Sequence, residues 1–343
     1  MASHGIEIKD LFKIFGPHGH KYIDAVKGGM SKTELNEKHG HVLGLKDINI
    51  SMPAGQIQVV MGLSGSGKST LIRHINRLID PTAGSVEYQG EDVCQMSKSE
   101  LQAFRRHKTA MVFQKFALLP HRTVIGNTVY GLEIQGVAKD EAKKRALKWI
   151  DRVGLSGFED HYPNQLSGGM QQRVGLARAL TNDADILLMD EAFSALDPLI
   201  RTDMQSVLLD IQEELKKTIV FITHDLDEAL RLGDRIAILR DGEVVQQGTG
   251  QEIVLRPADG YIADFIKEVN RGRVISVGTI MQPTPIEGAV KIRLKATDML
   301  ETAAQAMAQR QETHANVCDG NENLVGSIQL KDAINAMVTA ATH

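Results

Sequence analysis

The stretch GLSGSGKST, residues 62–70, lies between the apolar run IQVVM at 57–61 and the segment LIRHINRLI at 71–79. The first run reads as a short buried strand. In the second, Leu71, Ile72, Ile75, Leu78 and Ile79 recur at helical spacing, and Pro81 follows as a stop. Strand, glycine loop and helix in this order make a cradle in which backbone N–H groups wrap phosphates. Residues 62–69 fit GxxxxGK[ST], so Gly62, Ser64, Gly65, Ser66, Gly67, Lys68, Ser69 and Thr70 are the nucleotide-binding candidates. Lys68 is expected to reach the β/γ-phosphates and the Ser69 hydroxyl to ligate Mg²⁺.

The rest of the composition is that of an ordinary globular protein. The 343 residues are 42% hydrophobic and 24% charged, enough for one large core and a smaller unit. A net charge of −4 gives no reason to expect a nucleic-acid partner. Cys94 and Cys318 form neither a CxxC nor a zinc spacing, which suits a reduced, cytosolic chain. MASHGIEIKD at the N-terminus lacks the pattern of a signal peptide, and no apolar run approaches the ~20 residues of a membrane span.

Three further segments carry chemistry. ILLMDE at 186–191 is an apolar strand running into two acids, the place where α/β sheets put ligands. Asp190 is expected to hold Mg²⁺ and Glu191 to orient the attacking water. Gln114 follows the strand-like AMVF, and His224 follows IVFIT. LSGGMQQR at 166–173 places a serine and two glycines ahead of a helix-like run, a second anion site without a lysine of its own.

Together these pieces, in this order, resemble the nucleotide-binding subunit of an ABC transporter over roughly residues 5–250. The resemblance implies an α/β P-loop ATPase with a mixed-sheet core and a helical subdomain, and ATP with Mg²⁺ as its ligands. It makes GLSGSGKST the Walker A motif, ILLMDE the Walker B motif and Gln114 the Q-loop residue, a further Mg²⁺ ligand. Ser194, Ala195, Leu196 and Asp197 become the D-loop, and His224 the switch histidine. Glu191, His224 and Gln114 form the catalytic set. Ser167, Gly168, Gly169 and Gln171 are then expected to bind ATP held by a second copy of the chain. Met170 stands where the family usually has glutamine. Phe15 in KIFG takes the position of the adenine-stacking aromatic, with Phe12 the competing choice.

The helical insertion at about 17–42, MVFQKFALLPHRTV at 111–124, the segment THDLDEALRLGDRIAILRDGEVVQQG and a C-terminal extension narrow the resemblance. They look like the ATPase of importers for glycine betaine, proline betaine or choline, which work with an integral membrane permease and an extracytoplasmic substrate-binding protein. That implies a peripheral position on the cytoplasmic face of the inner membrane. Phe116, Leu118 and Leu119, within a helical subdomain at about 115–175, are the expected permease-docking residues.

The boundaries expected are 1–270 for the ATPase and 277–343 for a small α+β unit resembling a single CBS motif. Its elements read as a strand at VGTIM, a helix, two strands around the DGN turn at 319–321, and a final helix. Such a unit is expected to regulate transport or to clamp a dimer. The rival readings are a soluble ABC-type ATPase acting on ribosomes or nucleic acid, and an importer of a different small solute.

Overall fold

In the computed structural model, which describes residues 5–114, 116–286 and 290–338, the chain divides into two units, 1–247 and 248–343. The division precedes the sequence-expected boundary at 270, because the segment from Gly248 packs with the C-terminal unit.

The first unit holds two sheets. β1 (Ile6–Phe15), β2 (Val42–Met52), β4 (Ala83–Tyr88) and β5 (Glu91–Asp92) form an antiparallel sheet in the order β2-β1-β4-β5. β3 (Ile57–Met61), β6 (Thr109–Phe113), β7 (Ile186–Asp190), β8 (Thr218–Thr223), β9 (Arg235–Arg240) and β10 (Glu243–Gly248) form the second, ordered β10-β9-β3-β8-β7-β6. Within it β6, β7, β8, β3 and β9 run parallel. β3, β7 and β8 are buried at every position, as expected for parallel strands covered on both faces. Ile6, Leu45, Val60, Leu71, Leu188, Val220 and Ala237 belong to one continuous core between the two sheets.

The chain between β1 and β2 forms a short 3₁₀ turn, Gly19–Tyr22, and two helices, Ile23–Lys27 and Lys32–His39. Phe15 pairs with Val42 at the base of this insertion, so the hairpin register holds where the chain leaves and returns. Ile23, Val26 and Leu35 pack on Phe12, Ile14 and Leu43 in a small separate core. A helical subdomain contains the helices Val124–Gln135, Lys139–Arg152 and Gly168–Thr181.

The helix after the glycine loop is shorter than its hydrophobic period suggests. It ends at Ile75, and Arg77 is left-handed at φ +50°. The Ile79 N–H doubles back to the Arg73 carbonyl at 3.2 Å, closing the last turn behind left-handed Arg77, and the Arg105 guanidinium donates to the carbonyls of Asn76 and Arg77 that this turn leaves free. Leu78 is consequently exposed.

In the second unit, β11 (Arg293–Lys295), β12 (His314–Cys318) and β13 (Leu324–Gln329) form a three-stranded sheet. It carries the helices Leu300–Gln309 and Leu330–Val338. The VGTIM segment, expected as a strand, is instead one helical turn, Val277–Ile280. The Ser276 N-cap starts it, and the Met281 N–H closes back on the Val277 carbonyl. The DGN turn is drawn tight by Asp319, whose carboxylate accepts from the Asn321 and Asn323 N–H groups. Residues 287–289 and 339–343 of the expected 277–343 unit lie outside the described residues.

His74 in the glycine-loop helix is fully buried. Its Nδ1 lies 2.7 Å from the Thr70 carbonyl, while Nε2 has no partner. A neutral ring with Nδ1–H donating fits this setting. Burial pushes its pKa down to about 4, against the partly opposing pull of the Thr70 carbonyl. The unfolded ring takes up a proton near pH 6.5, whereas the folded ring resists until about pH 4. The stability His74 contributes is therefore present above pH 6.5 and lost as pH falls through this window. Between pH 6.5 and 4 the loss is expected to be roughly 3 kcal/mol. Urea titrations across this range should show a correspondingly flatter profile for His74→Gln.

Candidate active site

Four neighbouring parallel strands, β3, β8, β7 and β6, end at the same edge of the sheet. Their carboxyl ends carry, in that order, the glycine loop, His224, Asp190 with Glu191, and Gln114. Register fixes the alignment: Met61 pairs with Thr223, Asp190 with Ile222, and Phe113 with Asp190. Residues far apart in sequence thus meet where such sheets bind ligands.

The glycine loop is shaped by three left-handed glycines, Gly62 (φ +150°), Gly65 (φ +79°) and Gly67 (φ +103°). A Cβ on Gly67 would lie 2.8 Å from the Gly44 carbonyl oxygen, so neither the dihedral nor the space admits a side chain. Lys68 is almost wholly buried. Its ammonium donates to the carbonyls of Gly62 (2.7 Å) and Leu63 (2.9 Å), bracing the loop from within. Burial lowers its pKa, and the carboxylates of Glu191, 4.0 Å away, and Asp190 work against that shift.

Ser69 Oγ donates to Asp190 Oδ1 at 2.7 Å, and Arg73 reaches Oδ2 at 3.5 Å. A hydroxyl beside a carboxylate is an oxygen donor pair of the kind Mg²⁺ shares with nucleotide phosphates. Among the described residues, no group of three or more His, Cys, Asp and Glu side chains could hold a metal by itself.

Glu191 is left-handed at φ +47°, a conformation costing on the order of 1–3 kcal/mol for a residue of this type. Its N–H donates to the Ile222 carbonyl, and its own carbonyl accepts from Ser194 Oγ at 2.9 Å. Its carboxylate accepts from Gln114 Nε2 at 2.9 Å and stands 3.8 Å from His224 Nδ1. Gln114 also reaches Ser194 Oγ at 3.4 Å. Of the D-loop residues, Ala195 is exposed, Leu196 is buried, and Asp197 caps the helix Pro198–Leu215 by accepting from Leu199 and Ile200.

A cavity of about 460 Å³ opens beside these groups. Phe15, Ser64, Gly65, Gly67, Lys68, Ser69, Thr70, Gln114 and Glu191 line it, together with Lys32, Val42, Leu43 and Gly44. Phe15 is partly exposed, whereas the competing Phe12 is buried in the insertion's core. Lys32 was not singled out by the sequence. Its charge looks like any other in a lysine-rich insertion, and only the folded hairpin turns it toward the loop.

Ser167, Gly168 and Gly169 are absent from this lining. Ser167 caps the helix Gly168–Thr181 by accepting from the Met170 N–H. The Gln171 amide is committed to the carbonyls of Pro163 and Leu166, so it holds the preceding loop. Further along the same helix, Arg178 donates to the carbonyls of Phe116 and Ala117, both left-handed. Phe116, Leu118 and Leu119 are half-buried, and Asn127 pins Leu119 through both its N–H and its carbonyl. No helix among the described residues is long and apolar enough to cross a membrane.

A glycine loop with a buried lysine, facing a serine–aspartate pair and a second acid at the ends of parallel strands, defines a P-loop nucleoside triphosphatase. Residues 45–194 match the family model described as ABC transporter. The chain is 54% identical over 277 residues to the glycine betaine transport ATP-binding protein OpuAA of Bacillus subtilis (strain 168), covering 81% of this chain and 66% of that one. It therefore spans just under two thirds of that relative's length. It is 47% identical to the glycine betaine/carnitine transport ATP-binding protein GbuA of Listeria monocytogenes serotype 1/2a (strain 10403S), covering 98% of this chain and 85% of that one. A solved dimeric ATP-binding cassette in a post-hydrolysis state, bound to ADP and Pi, superposes with a TM-score of 0.61. It is 33% identical over 71% of this chain and 98% of that one. The chain belongs to the ABC transporter family, as an ATP-binding subunit that hydrolyses ATP.

Because Gly67 tolerates no side chain, Gly67→Ala should force the loop away from Gly44. Nucleotide binding measured by calorimetry is expected to weaken by about tenfold or more, on the order of 1.4 kcal/mol. The urea midpoint should change far less than the affinity.

Proposed function

We propose that this chain powers the import of a quaternary amine such as glycine betaine or choline, working as a pair of copies beneath an integral membrane permease. The observation that carries the substrate reading is the 47% identity with a glycine betaine/carnitine transport ATP-binding protein, sustained over 98% of the chain. An extracytoplasmic binding protein selects the cargo, and the ATPase lies peripherally at the cytoplasmic face of the membrane.

Phe15 stacks on adenine, and the amides of the glycine loop with Lys68 hold the phosphates. Ser69, Asp190 and Gln114 are the residues to hold Mg²⁺, which when bound neutralises charge on the phosphates. The anion site at Ser167–Gly169, without a lysine and outside its own cavity lining, completes the cavity of the second copy. Glu191, held against Gln114 and near His224, orients the attacking water and accepts its proton. Closing the pair moves the permease through the loop at Phe116, Leu118 and Leu119, and hydrolysis reopens it.

The C-terminal unit is a single CBS-like module. A sheet of three strands buries only a modest core, so pairing with the unit of the second copy supports it. Through that pairing it regulates transport or clamps the dimer. Removing residues 277–343 should abolish osmotic stimulation of uptake or weaken dimerisation. Unchanged values of both would remove this role.

The decisive experiment measures uptake of labelled glycine betaine and choline at low and high osmolarity, in cells carrying the chain or Glu191→Gln beside its permease. Glu191→Gln should bind ATP, accumulate as a closed dimer on size exclusion, and turn over ATP ~10²-fold or more slowly. Uptake of neither amine in a Glu191-dependent manner would overturn the substrate reading and leave the ATPase intact.

A further inference from the structure

We infer that Lys32, carried on the insertion between β1 and β2, is a second cationic contact for the nucleotide phosphates and sets affinity for ATP and ADP. The inference rests on the cavity being the nucleotide site.

Lys32 lines the same cavity as Phe15, Ser64, Gly65 and Lys68. Its position is built. Ser31 and Glu34 form a reciprocal cap, with the Glu34 N–H donating to Ser31 Oγ and the Ser31 N–H to Glu34 Oε2, each at 3.1 Å. One turn on, Leu35 is fully buried against Phe12, Ile14 and Leu43. The first residue of that helix is therefore held in place while its ammonium stays accessible.

Its partner shows which end of the cavity it faces. Lys32 Nζ is 3.9 Å from Asp241 Oδ1, its only ion pair among the described residues. The next residue, Gly242, donates its N–H to the Ser66 carbonyl at 3.0 Å, and its Cα lies 3.6 Å from where a Gly67 Cβ would stand. Lys32 thus stands on the phosphate-loop side. The pair is longer than a hydrogen bond, and the Asp241 side chain is 78% exposed, so little holds the ammonium there. A polyphosphate entering the cavity brings more negative charge than Asp241 and a closer approach. Lys32 then exchanges one anion for another. Lys68 is differently employed, since it is buried and bonded to two loop carbonyls.

A contact of this kind acts on ground-state binding, so it moves the Kd and KM for ATP while kcat at saturation stays close to that of the parent. Calorimetric titration of the full-length chain with MgATP, MgADP and AMP tests it, using Lys32→Met, Lys32→Arg and Asp241→Asn. Lys32→Met should bind ATP and ADP about three- to tenfold more weakly and with a shallower salt dependence, as expected for a partly exposed pair. AMP should change less. Lys32→Arg should retain most of the affinity, and Asp241→Asn should tighten binding more in the parent than in Lys32→Met. Parent-like affinity in Lys32→Met overturns the inference, as does equal weakening in Lys32→Arg and Lys32→Met, which would mark a shape effect. Parent chain that binds no ATP would instead sink the nucleotide reading of the cavity.

Discussion

Everything catalytic in this chain depends on four parallel strands ending in register. β3, β7 and β8 are buried at every position and β6 at three of its five, and burying these apolar runs is what drives the strands together. Once paired, their carboxyl ends bring Lys68, His224 and Gln114 to within 4.0 Å of the Glu191 carboxylate, next to Asp190 on the same strand end. None of these polar groups could assemble the sheet. They are placed by it, and the cost of gathering two carboxylates is offset by Lys68, Arg73, Gln114 and the Ser69 hydroxyl.

The same logic explains what was legible in the sequence. The strand runs IQVVM, AMVF, ILLMDE and IVFIT each say both what is buried and where the chain turns polar, so the fold class and the positions of Lys68, Asp190, Glu191, Gln114 and His224 are readable from short windows. Phe15 and Phe12 lie three residues apart in one strand, and only packing separates them, one against the cavity and the other in the core of the insertion.

What could not be read depends on long-range competition for backbone groups. Leu78 and Ile79 continue the helical period, yet Arg77 turns left-handed and the Ile79 N–H closes back on Arg73, a turn whose free carbonyls at Asn76 and Arg77 are taken by Arg105 from a later helix. VGTIM is apolar enough for a strand but closes a single helical turn behind Ser276. Gln171 looks like a ligand-facing amide, whereas its hydrogens are spent on Pro163 and Leu166. Lys32 has no periodic or motif signal, because its surroundings are made by residues more than two hundred positions away, Asp241 and Gly242.

The pairing of Phe15 with Val42 has an evolutionary consequence. With both ends of the insertion fixed in the ladder, lengthening the chain between them adds only the slowly growing cost of a larger closed loop. The hairpin tip is thus a graft point at the rim of the cavity. Sequence can drift or grow there, and retune how readily a cell's adenylate pool occupies the engine, while the hydrolytic machinery on the other sheet remains untouched.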